Sequence, residues 1–134
     1  MSDIAVDTSA IVEKLIEGPQ ADAVRDTLAT AGRAFVTSAA RVETALVMIG
    51  RFGWDRATFD RAWQALGLEE VAVDSSIAAL AIDAFEMWGK GRAKAGLNFG
   101  DCFSHALVVA RDVPLLYVGD DFGQTNLQRP PAGG

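Results

Sequence analysis

The sequence predicts an α/β protein in which helices pack on both faces of a central parallel sheet of four or five strands. Short apolar runs alternate with segments of helical periodicity along the 134 residues, as is typical of parallel strands joined by helical crossovers. Half of the residues are hydrophobic, which is enough for one core. We therefore expect one domain over residues 1–128 and a flexible C-terminal tail over residues 129–134, which ends in prolines and glycines.

The first half of the chain predicts, in order, a strand (residues 3–7), a helix (8–17), a second helix (20–31), a second strand (34–37) and a longer helix (38–50). Ile4 and Val6 suit a buried strand. Gly18-Pro19 ends the first helix and Gly32 the second, because these residue types do not continue a helix. The apolar stripe that we expect to face the core from the longer helix consists of Val42, Ala45, Leu46 and Ile49.

The second half predicts a helix (residues 55–66), a third strand (70–74), a helix (75–89), a basic loop (90–98), a last helix (99–111) and a fourth strand (115–118). Asp55 and Asp74 precede the first two of these helices and are expected to cap them. Gly67 and Pro114 stand where helices should stop. Residues 125–127 could add a short edge strand, which would be the fifth of the sheet.

The composition excludes several classes of protein. The single Cys102 cannot form an internal disulfide, and no second thiol offers the ligand spacing of structural zinc. The apolar runs are too short to cross a bilayer and the first residues lack a secretory signal, so we expect a cytoplasmic protein without membrane contact. The net charge of −6 argues against a general phosphate-binding surface. It indicates either a solubilising surface or carboxylates gathered around a divalent cation.

Acidic residues stand near the ends of the predicted strands. Asp7 follows the first strand, and Asp120 and Asp121 follow the fourth. Glu43 lies in the second turn of the helix after the second strand, and Asp101 opens the last helix. Because parallel strands place their carboxyl ends at one edge of the sheet, this topology permits the acidic side chains to converge, although the sequence alone does not bring them together.

Carboxylates that share one cleft repel one another and raise each other's pKa values, and a divalent cation relieves that repulsion. Mg²⁺ or Mn²⁺ prefers oxygen ligands and suits such a set better than zinc. A cation of this kind makes a water easier to deprotonate and neutralises charge on a phosphoryl oxygen. Hydrolysis of a phosphodiester is the chemistry that these residues favour.

Each acidic residue also has a purely structural interpretation. Asp7 and Asp101 stand at helix starts, where a carboxylate can accept backbone N–H groups. Glu43 could be a solvated residue on a helix surface, and Asp120 and Asp121 could be ordinary turn residues. Capping does not exclude a role in a site, so both interpretations remain open for Asp7 and Asp101.

Two further side chains could take part in chemistry. His105 lies one helical turn after Asp101 and could be a metal ligand or a general base, but we favour a partly buried histidine satisfied by a neighbour. Cys102 has no sign of an activating partner and is interpreted as a small core residue.

A dense basic cluster precedes the last helix and consists of Lys90, Arg92 and Lys94. It is either a solvated loop or a set of contacts for the phosphates of a nucleic acid beside the acidic cleft. Arg41, which lies close to Glu43 in the sequence, is a second candidate for the same contacts.

Four segments occur together in one order: Val6–Ala10, Ala40–Glu43, Leu97–Cys102 and Gly119–Phe122. They resemble the PIN-domain ribonucleases, specifically the VapC-type toxins of bacterial toxin–antitoxin pairs, and the third segment is the most specific. The resemblance implies a PIN-like α/β/α sandwich and an endoribonuclease, dependent on Mg²⁺ or Mn²⁺, that cuts structured RNA such as tRNA or rRNA. It also implies a homodimer and a hetero-oligomer with a cognate VapB-type antitoxin.

Matched residue by residue, Asp7, Glu43 and Asp101 take the three best-defined metal-site positions of this family. The resemblance favours Asp121 for the fourth acid, with Asp120 as the alternative. The positions that support the site through hydrogen bonds are Ser9 and Asn98. The chain departs from the family at Thr125-Asn126, where related toxins often have Thr-Asp, and this departure weakens the case for a second metal.

Three alternative functions each require particular residues. A phosphate-accepting receiver needs a lysine after a late strand, and no lysine occurs after Lys94. A phosphatase of the haloacid dehalogenase type needs an aspartate at the position of Ser9. The alternative that remains is a catalytically silent interaction module of the same fold, whose mark would be the loss of an acid at the site.

Overall fold

The computed structural model describes residues 2–130. Its strands are β1 (Ile4–Val6), β2 (Ala34–Thr37), β3 (Glu69–Val71) and β4 (Leu115–Leu116). All strand pairs are parallel, and the strand order in the sheet is β3-β2-β1-β4. The predicted parallel sheet is therefore confirmed with four strands, and β1, which delivers Asp7, lies at its centre.

The helices are α1 (Thr8–Leu15), α2 (Ala21–Thr30), α3 (Ser38–Ala45), α4 (Arg56–Ala65), α5 (Ser75–Trp88) and α6 (Phe99–Arg111). They cover both faces of the sheet. Ala5 and Phe35 pack on one face against α5 and α6, through side chains such as Ala81. Ile4 and Val6 pack on the other face against α1, α2 and α3. Alternate residues of β1 thus enter two separate cores, which makes the molecule an α/β/α sandwich.

Local side-chain hydrogen bonds fix several helix starts. Asp55 accepts from the backbone N–H of Thr58 at 2.8 Å, and Asp74 accepts from that of Ile77 at 2.9 Å. Both predicted caps are therefore present. The third strand ends at Val71 instead of continuing to Asp74, because the backbone N–H of Val73 donates to the Ser38 hydroxyl and that of Asp74 to the Ala72 carbonyl.

The predicted edge strand at residues 125–127 is wrong within the described part of the chain, where this segment forms bends. The chain still runs beside β4 just after it, because the backbone N–H of Leu115 donates to the carbonyl of Gln128 at 2.9 Å. Of the predicted tail, Arg129 donates to the carbonyl of Gly119 at 3.0 Å, and residues 131–134 lie outside the described residues.

The predicted inward stripe of α3 is also wrong. Val42 is 58% exposed and Leu46 is 69% exposed, whereas Thr44 and Met48 are fully buried. Thr44 tolerates burial because its hydroxyl donates to the Ala40 carbonyl at 2.7 Å, so no polar group is left without a partner. The helix then continues from α3 as a π-helical segment over Leu46–Arg51. Within residues 2–130, no helix combines the length and apolar character needed to cross a membrane.

Candidate active site

Asp7 stands at the carboxyl end of the central strand and is 4% exposed. Its Oδ2 accepts from the backbone N–H of Ser9 at 3.0 Å, which caps α1. Its own backbone N–H donates to the Leu116 carbonyl of β4 at 3.0 Å. The two interpretations of Asp7 are thus compatible, because the capping contact uses one oxygen and fixes the carboxyl group at the edge of the sheet.

Glu43 reaches the start of α6 from α3. Its carboxyl group packs against Gly100 so closely that a Cβ at that position would overlap it. Burial raises the pKa of Glu43, a hydrogen bond from the Thr8 hydroxyl lowers it, and the charge of Asp7 raises it further, with a net upward shift. Glu43 is therefore a half-buried residue facing Asp7, and the interpretation as a solvated helix residue is wrong.

Asp101 is held by a reciprocal pair of hydrogen bonds at the start of α6. The backbone N–H of Asp101 donates to Asn98 Oδ1 at 2.9 Å, and that of Asn98 donates to Asp101 Oδ2 at 3.0 Å. This capping box fixes the carboxyl group, which is 7% exposed. Burial raises the pKa of Asp101 to about 7; the Asn98 N–H opposes the shift, and the charges of Asp7 and Asp121 add to it.

The structure separates the two candidates for the fourth acid. The Asp121 carboxyl group contacts that of Asp101 and contributes to its raised pKa. Asp120 points into a different cavity, whose lining includes Gln20 and Arg129. Asp121 therefore joins the other three acids, which we call the acidic cluster: Asp7, Glu43, Asp101 and Asp121.

The carboxyl groups of the acidic cluster repel one another electrostatically, but they do not surround a common point. No group of three or more His, Cys, Asp or Glu side chains in residues 2–130 is arranged to enclose a metal ion. The chemistry of the donors nevertheless fits a hard divalent cation, since all are carboxyl oxygens and two of them have raised pKa values. Mg²⁺ commonly binds through one or two carboxylates and keeps several waters, so it does not need a protein cage.

The two predicted supporting residues lie beside the acidic cluster and make structural hydrogen bonds. Asn98 forms the capping box with Asp101. Ser9 accepts at its hydroxyl from the backbone N–H of Val118 at 3.0 Å, which ties the segment after β4 to the start of α1. The same residue thus connects Asp7 with the segment that leads to Asp121.

Ser104 belongs to the site and was missed by the sequence analysis. It is 2% exposed, and its hydroxyl donates to Asp7 Oδ1. A signal was present, because Ser104 interrupts the apolar face of a helix three residues after Asp101 and so lies on the same side. The partner could not be read from the sequence, since Asp7 is 97 residues away.

The remaining candidates lie apart from the acidic cluster. His105 is 6% exposed, and burial lowers its pKa; Asn126 approaches it, yet neither ring nitrogen has a hydrogen bond of normal geometry within the described residues. Cys102 is buried, and burial raises the pKa of its thiol. Both side chains are therefore neutral at pH 7. This agrees with the interpretation of Cys102 as a core residue, whereas His105 is buried without the hydrogen-bonding neighbour that we expected, as far as residues 2–130 show.

The basic candidates are on the surface. Lys90, Arg92 and Lys94 are exposed in the segment between α5 and α6. Arg92 donates to the Glu86 carbonyl at 3.2 Å, which holds its side chain against the end of α5. Arg41 forms an exposed ion pair with Glu70 at 3.3 Å.

Asp7 and Asp101 are buried carboxyl groups at the carboxyl end of the parallel sheet, where α/β folds of this kind bind their ligands. The model of the PIN domain family matches residues 4–126. The chain is 36% identical over 125 residues to ribonuclease VapC30 of Mycobacterium tuberculosis, covering 92% of this chain and 95% of that relative. It is 37% identical over 125 residues to ribonuclease VapC of Mycolicibacterium smegmatis, with coverages of 92% and 97%. The chain belongs to the PIN-domain family, in its branch of VapC ribonucleases.

Solved structures agree on the fold. Mycobacterium tuberculosis VapC20, described as a sarcin–ricin loop cleaving toxin, superposes with a TM-score of 0.73 at 16% identity over 95% of this chain and 99% of that one. A toxin–antitoxin complex from Klebsiella pneumoniae gives 0.70 at 16% identity, with coverages of 98% and 99%. At these identities the likeness concerns the fold, whereas the curated relatives favour a toxin ribonuclease over the silent interaction module.

Proposed function

We propose that this chain is a toxin endoribonuclease that hydrolyses phosphodiester bonds in structured RNA, either tRNA or rRNA, with Mg²⁺ or Mn²⁺ as cofactor. The observation that supports it most directly is the position of Asp101, buried beside Asp7 and Asp121 with a pKa raised to about 7. Carboxyl groups that a fold holds together against their repulsion are typical of a functional site. The named activity of the relatives gives the reaction class.

The four residues of the acidic cluster would hold the cation. Asp121 is preferred over Asp120 because only Asp121 contacts Asp101. When bound, the cation supplies positive charge that stabilises a phosphoryl oxygen and lowers the pKa of a water. The chain itself orients the ligands: the Ser9 N–H and the Ser104 hydroxyl donate to the Asp7 carboxyl group, and the Asn98 N–H donates to that of Asp101.

Contacts with the RNA backbone are assigned to the exposed basic side chains. Lys90, Arg92 and Lys94 lie in the segment that leads directly into the capping box of Asp101. Arg41 is available as well, because an exposed ion pair such as that with Glu70 contributes only about 0–1 kcal/mol and is easily exchanged for a phosphate contact. These residues would offset locally the net charge of −6.

The proposed protein partners are a second copy of the chain and a VapB-type antitoxin, in a cytoplasmic toxin–antitoxin hetero-oligomer. The toxin–antitoxin complex from Klebsiella pneumoniae, whose fold this chain shares, is an assembly of the kind proposed. Two apolar surfaces of this chain offer area that such partners could bury. One includes Ile82 and Phe99 on α5 and α6, which are 62% and 80% exposed, and the other includes Val42 and Leu46.

The proposal is tested by RNA cleavage with purified protein and by growth after induction. We expect cleavage of tRNA or rRNA that stops with a chelator and returns with Mg²⁺ or Mn²⁺. Asp7→Asn and Asp101→Asn should abolish cleavage and growth inhibition while the circular dichroism spectrum is retained. Asp121→Asn should have a strong effect, and Asp120→Asn, its neighbour, a weak one. Full cleavage by Asp7→Asn in Mg²⁺ buffer would contradict the site assignment. Absence of cleavage by the wild type under every metal condition would instead favour the silent module.

A further inference from the structure

A buried hydroxyl on α6 contacts the acidic cluster without belonging to any motif recognised in the sequence. Ser104 is 2% exposed, and it donates to Asp7 Oδ1 across a separation of 97 residues. Two other buried hydroxyls on helices, Thr44 and Thr27, donate to backbone carbonyls one turn away, those of Ala40 and Ala23. Ser104 differs from these two because its acceptor is the carboxyl group of Asp7 on another element.

The hydrogen bond from Ser104 completes the fixation of the Asp7 side chain. Oδ2 of Asp7 accepts from the Ser9 N–H at 3.0 Å, and Oδ1 accepts from the Ser104 hydroxyl. With a donor on each oxygen, rotation of the carboxyl group about its last bond is opposed from both ends. Each oxygen has a second acceptor site, so both can still bind a cation.

This orientation has to be kept against electrostatic repulsion. Asp101 lies one turn before Ser104 on α6, and its interaction with Asp7 is unfavourable when both are ionised. Glu43 repels Asp7 in the same way. A hydroxyl that donates to a carboxylate stabilises its ionised form, and such a bond is stronger than one between neutral groups. The same helix therefore brings a repelling carboxyl group and an attracting hydroxyl to Asp7.

We propose that Ser104 is a positioning residue that holds the Asp7 carboxyl group in the orientation in which it binds a divalent cation. The proposal rests on the function proposed above, because it requires Asp7 to be a cation ligand. Ser104 acts through Asp7 and contacts neither the cation nor the RNA. Its loss should weaken cation binding and leave the surfaces that bind RNA unchanged.

The primary test measures Mn²⁺ binding to the full-length protein without RNA, from the electron paramagnetic resonance signal of the free ion. Ser104→Ala removes the donor, and Ser104→Cys keeps nearly the same volume with a weak donor. We expect both to bind Mn²⁺ roughly 10- to 100-fold more weakly than wild type, the effect typical of residues that orient metal ligands. Thr27→Val is the matched control, since it removes an equally buried hydroxyl that serves only its own helix, and it should bind like wild type.

The second readout is the kinetics of RNA cleavage at several Mn²⁺ concentrations. At low Mn²⁺ we expect kcat of both Ser104 variants to fall while KM for RNA stays within about twofold, and excess Mn²⁺ should restore most of kcat. A merely structural role for Ser104 would lower the melting temperature and leave the Mn²⁺ affinity unchanged, which would overturn the proposal. If Ser104→Ala does not fold, Ser104→Cys decides alone, because its side chain fills the same space.

The outcomes separate this inference from the proposed function. Wild-type protein that binds Mn²⁺ and cleaves RNA, together with Ser104 variants of unchanged affinity, would reject the positioning role and leave the nuclease assignment intact. Wild-type protein that neither binds Mn²⁺ nor cleaves RNA would reject both. Weakened binding by the Ser104 variants and not by Thr27→Val would support both.

Discussion

At the scale of single residues, the carboxyl group of Asp101 is the one most altered by the fold. Burial, opposed by the Asn98 N–H and reinforced by Asp7 and Asp121, raises its pKa from 3.8 to about 7. The folded chain therefore binds a proton in a pH range in which the unfolded chain does not. The contribution of Asp101 to the free energy of unfolding is complete at pH values below its pKa in the unfolded chain. It is lost as the pH rises through its pKa in the folded chain.

We predict that Asp101→Asn stabilises the cation-free protein at neutral and higher pH. The free energy of unfolding of wild type should fall relative to that of the variant by on the order of 1–4 kcal/mol between about pH 5 and pH 8. Urea denaturation of both proteins in chelator measures this difference. The comparison cancels the opposite contribution of His105, whose lowered pKa costs stability as the pH falls. A pH-independent difference would contradict the raised pKa.

Gly100 is a residue whose missing side chain makes room for Glu43. A Cβ there would overlap the Glu43 carboxyl group, which is the end of a flexible side chain and can move away. Gly100→Ala should therefore displace Glu43 and reduce RNA cleavage by roughly 10-fold or more. Stability should change by no more than about 1 kcal/mol, because alanine also favours the helix.

Gly50→Ala is the control for this substitution, since nothing lies within 4 Å of a Cβ at position 50. It should leave cleavage unchanged. If Gly100→Ala cleaves RNA as wild type does, the position of Glu43 beside Gly100 is not needed for activity. A loss of cleavage accompanied by unfolding would instead assign Gly100 to the packing of α6.

The residues of the site were predictable in part. Asp7 was found because it ends an apolar strand, and Asp101 and Glu43 because the family pattern selects them. The resemblance favoured Asp121 over Asp120, and only the folded chain shows that Asp121 acts on Asp101 while Asp120 lines a different cavity. Ser104 was not predicted because its hydrogen-bond partner, Asp7, is 97 residues away in the chain.

At the scale of elements, helix starts connect stability with the site. Asn98 and Asp74 both cap helices: a side-chain oxygen of each accepts from the backbone N–H three residues later, at 2.9 Å in both cases. Asn98 differs from Asp74 because its own backbone N–H also donates to a carboxyl group of the acidic cluster, that of Asp101. The two caps are thus equivalent for the helix and different for the active site.

We predict that Asn98→Ala and Asp74→Ala each lower the free energy of unfolding by about 1 kcal/mol, the usual cost of a lost cap. Asn98→Ala keeps the backbone N–H that donates to the Asp101 carboxyl group, but it removes the side-chain oxygen that accepts from the Asp101 N–H. The capping box is then no longer closed, so Asp101 is held less firmly and RNA cleavage should fall severalfold. Thermal denaturation and cleavage assays on both variants test this. Equal cleavage by the two variants would show that the capping box serves stability alone.

The order of the elements was predictable, whereas the orientation of α3 was not. Hydrophobic periodicity placed Val42 and Leu46 inside, but the side chains that α3 and its π-helical continuation bury are those of Ala40, Thr44 and Met48. Periodicity identifies a helix with one apolar stripe, and α3 has apolar residues on two sides. A helix that is apolar on two sides does not reveal from its sequence which side faces the core, and the side left exposed is one of the two apolar surfaces named in the proposed function.

At the scale of the whole molecule, RNA binding must overcome a net charge of −6. Electrostatic attraction to RNA then depends on a local excess of positive charge, and the segment with Lys90 and Lys94 is the densest basic stretch of the chain. Neither lysine forms an ion pair among the contacts of residues 2–130, so both are free to meet phosphates. Each phosphate contact contributes to the salt dependence of binding.

We predict that the double substitution Lys90→Gln and Lys94→Gln weakens RNA binding and lowers the slope of log K against log salt concentration by about 1 to 2. Binding is measured with the Asp7→Asn protein, which keeps the RNA intact, at several salt concentrations. The charge-matched control, Lys14→Gln with Arg61→Gln, changes the net charge equally in α1 and α4. If both doubles lower the slope alike, the effect follows from net charge, and the segment before α6 makes no phosphate contacts of its own. A change confined to Lys90 and Lys94 would instead place the RNA backbone beside Asp101, because only the capping box separates that segment from the acidic cluster.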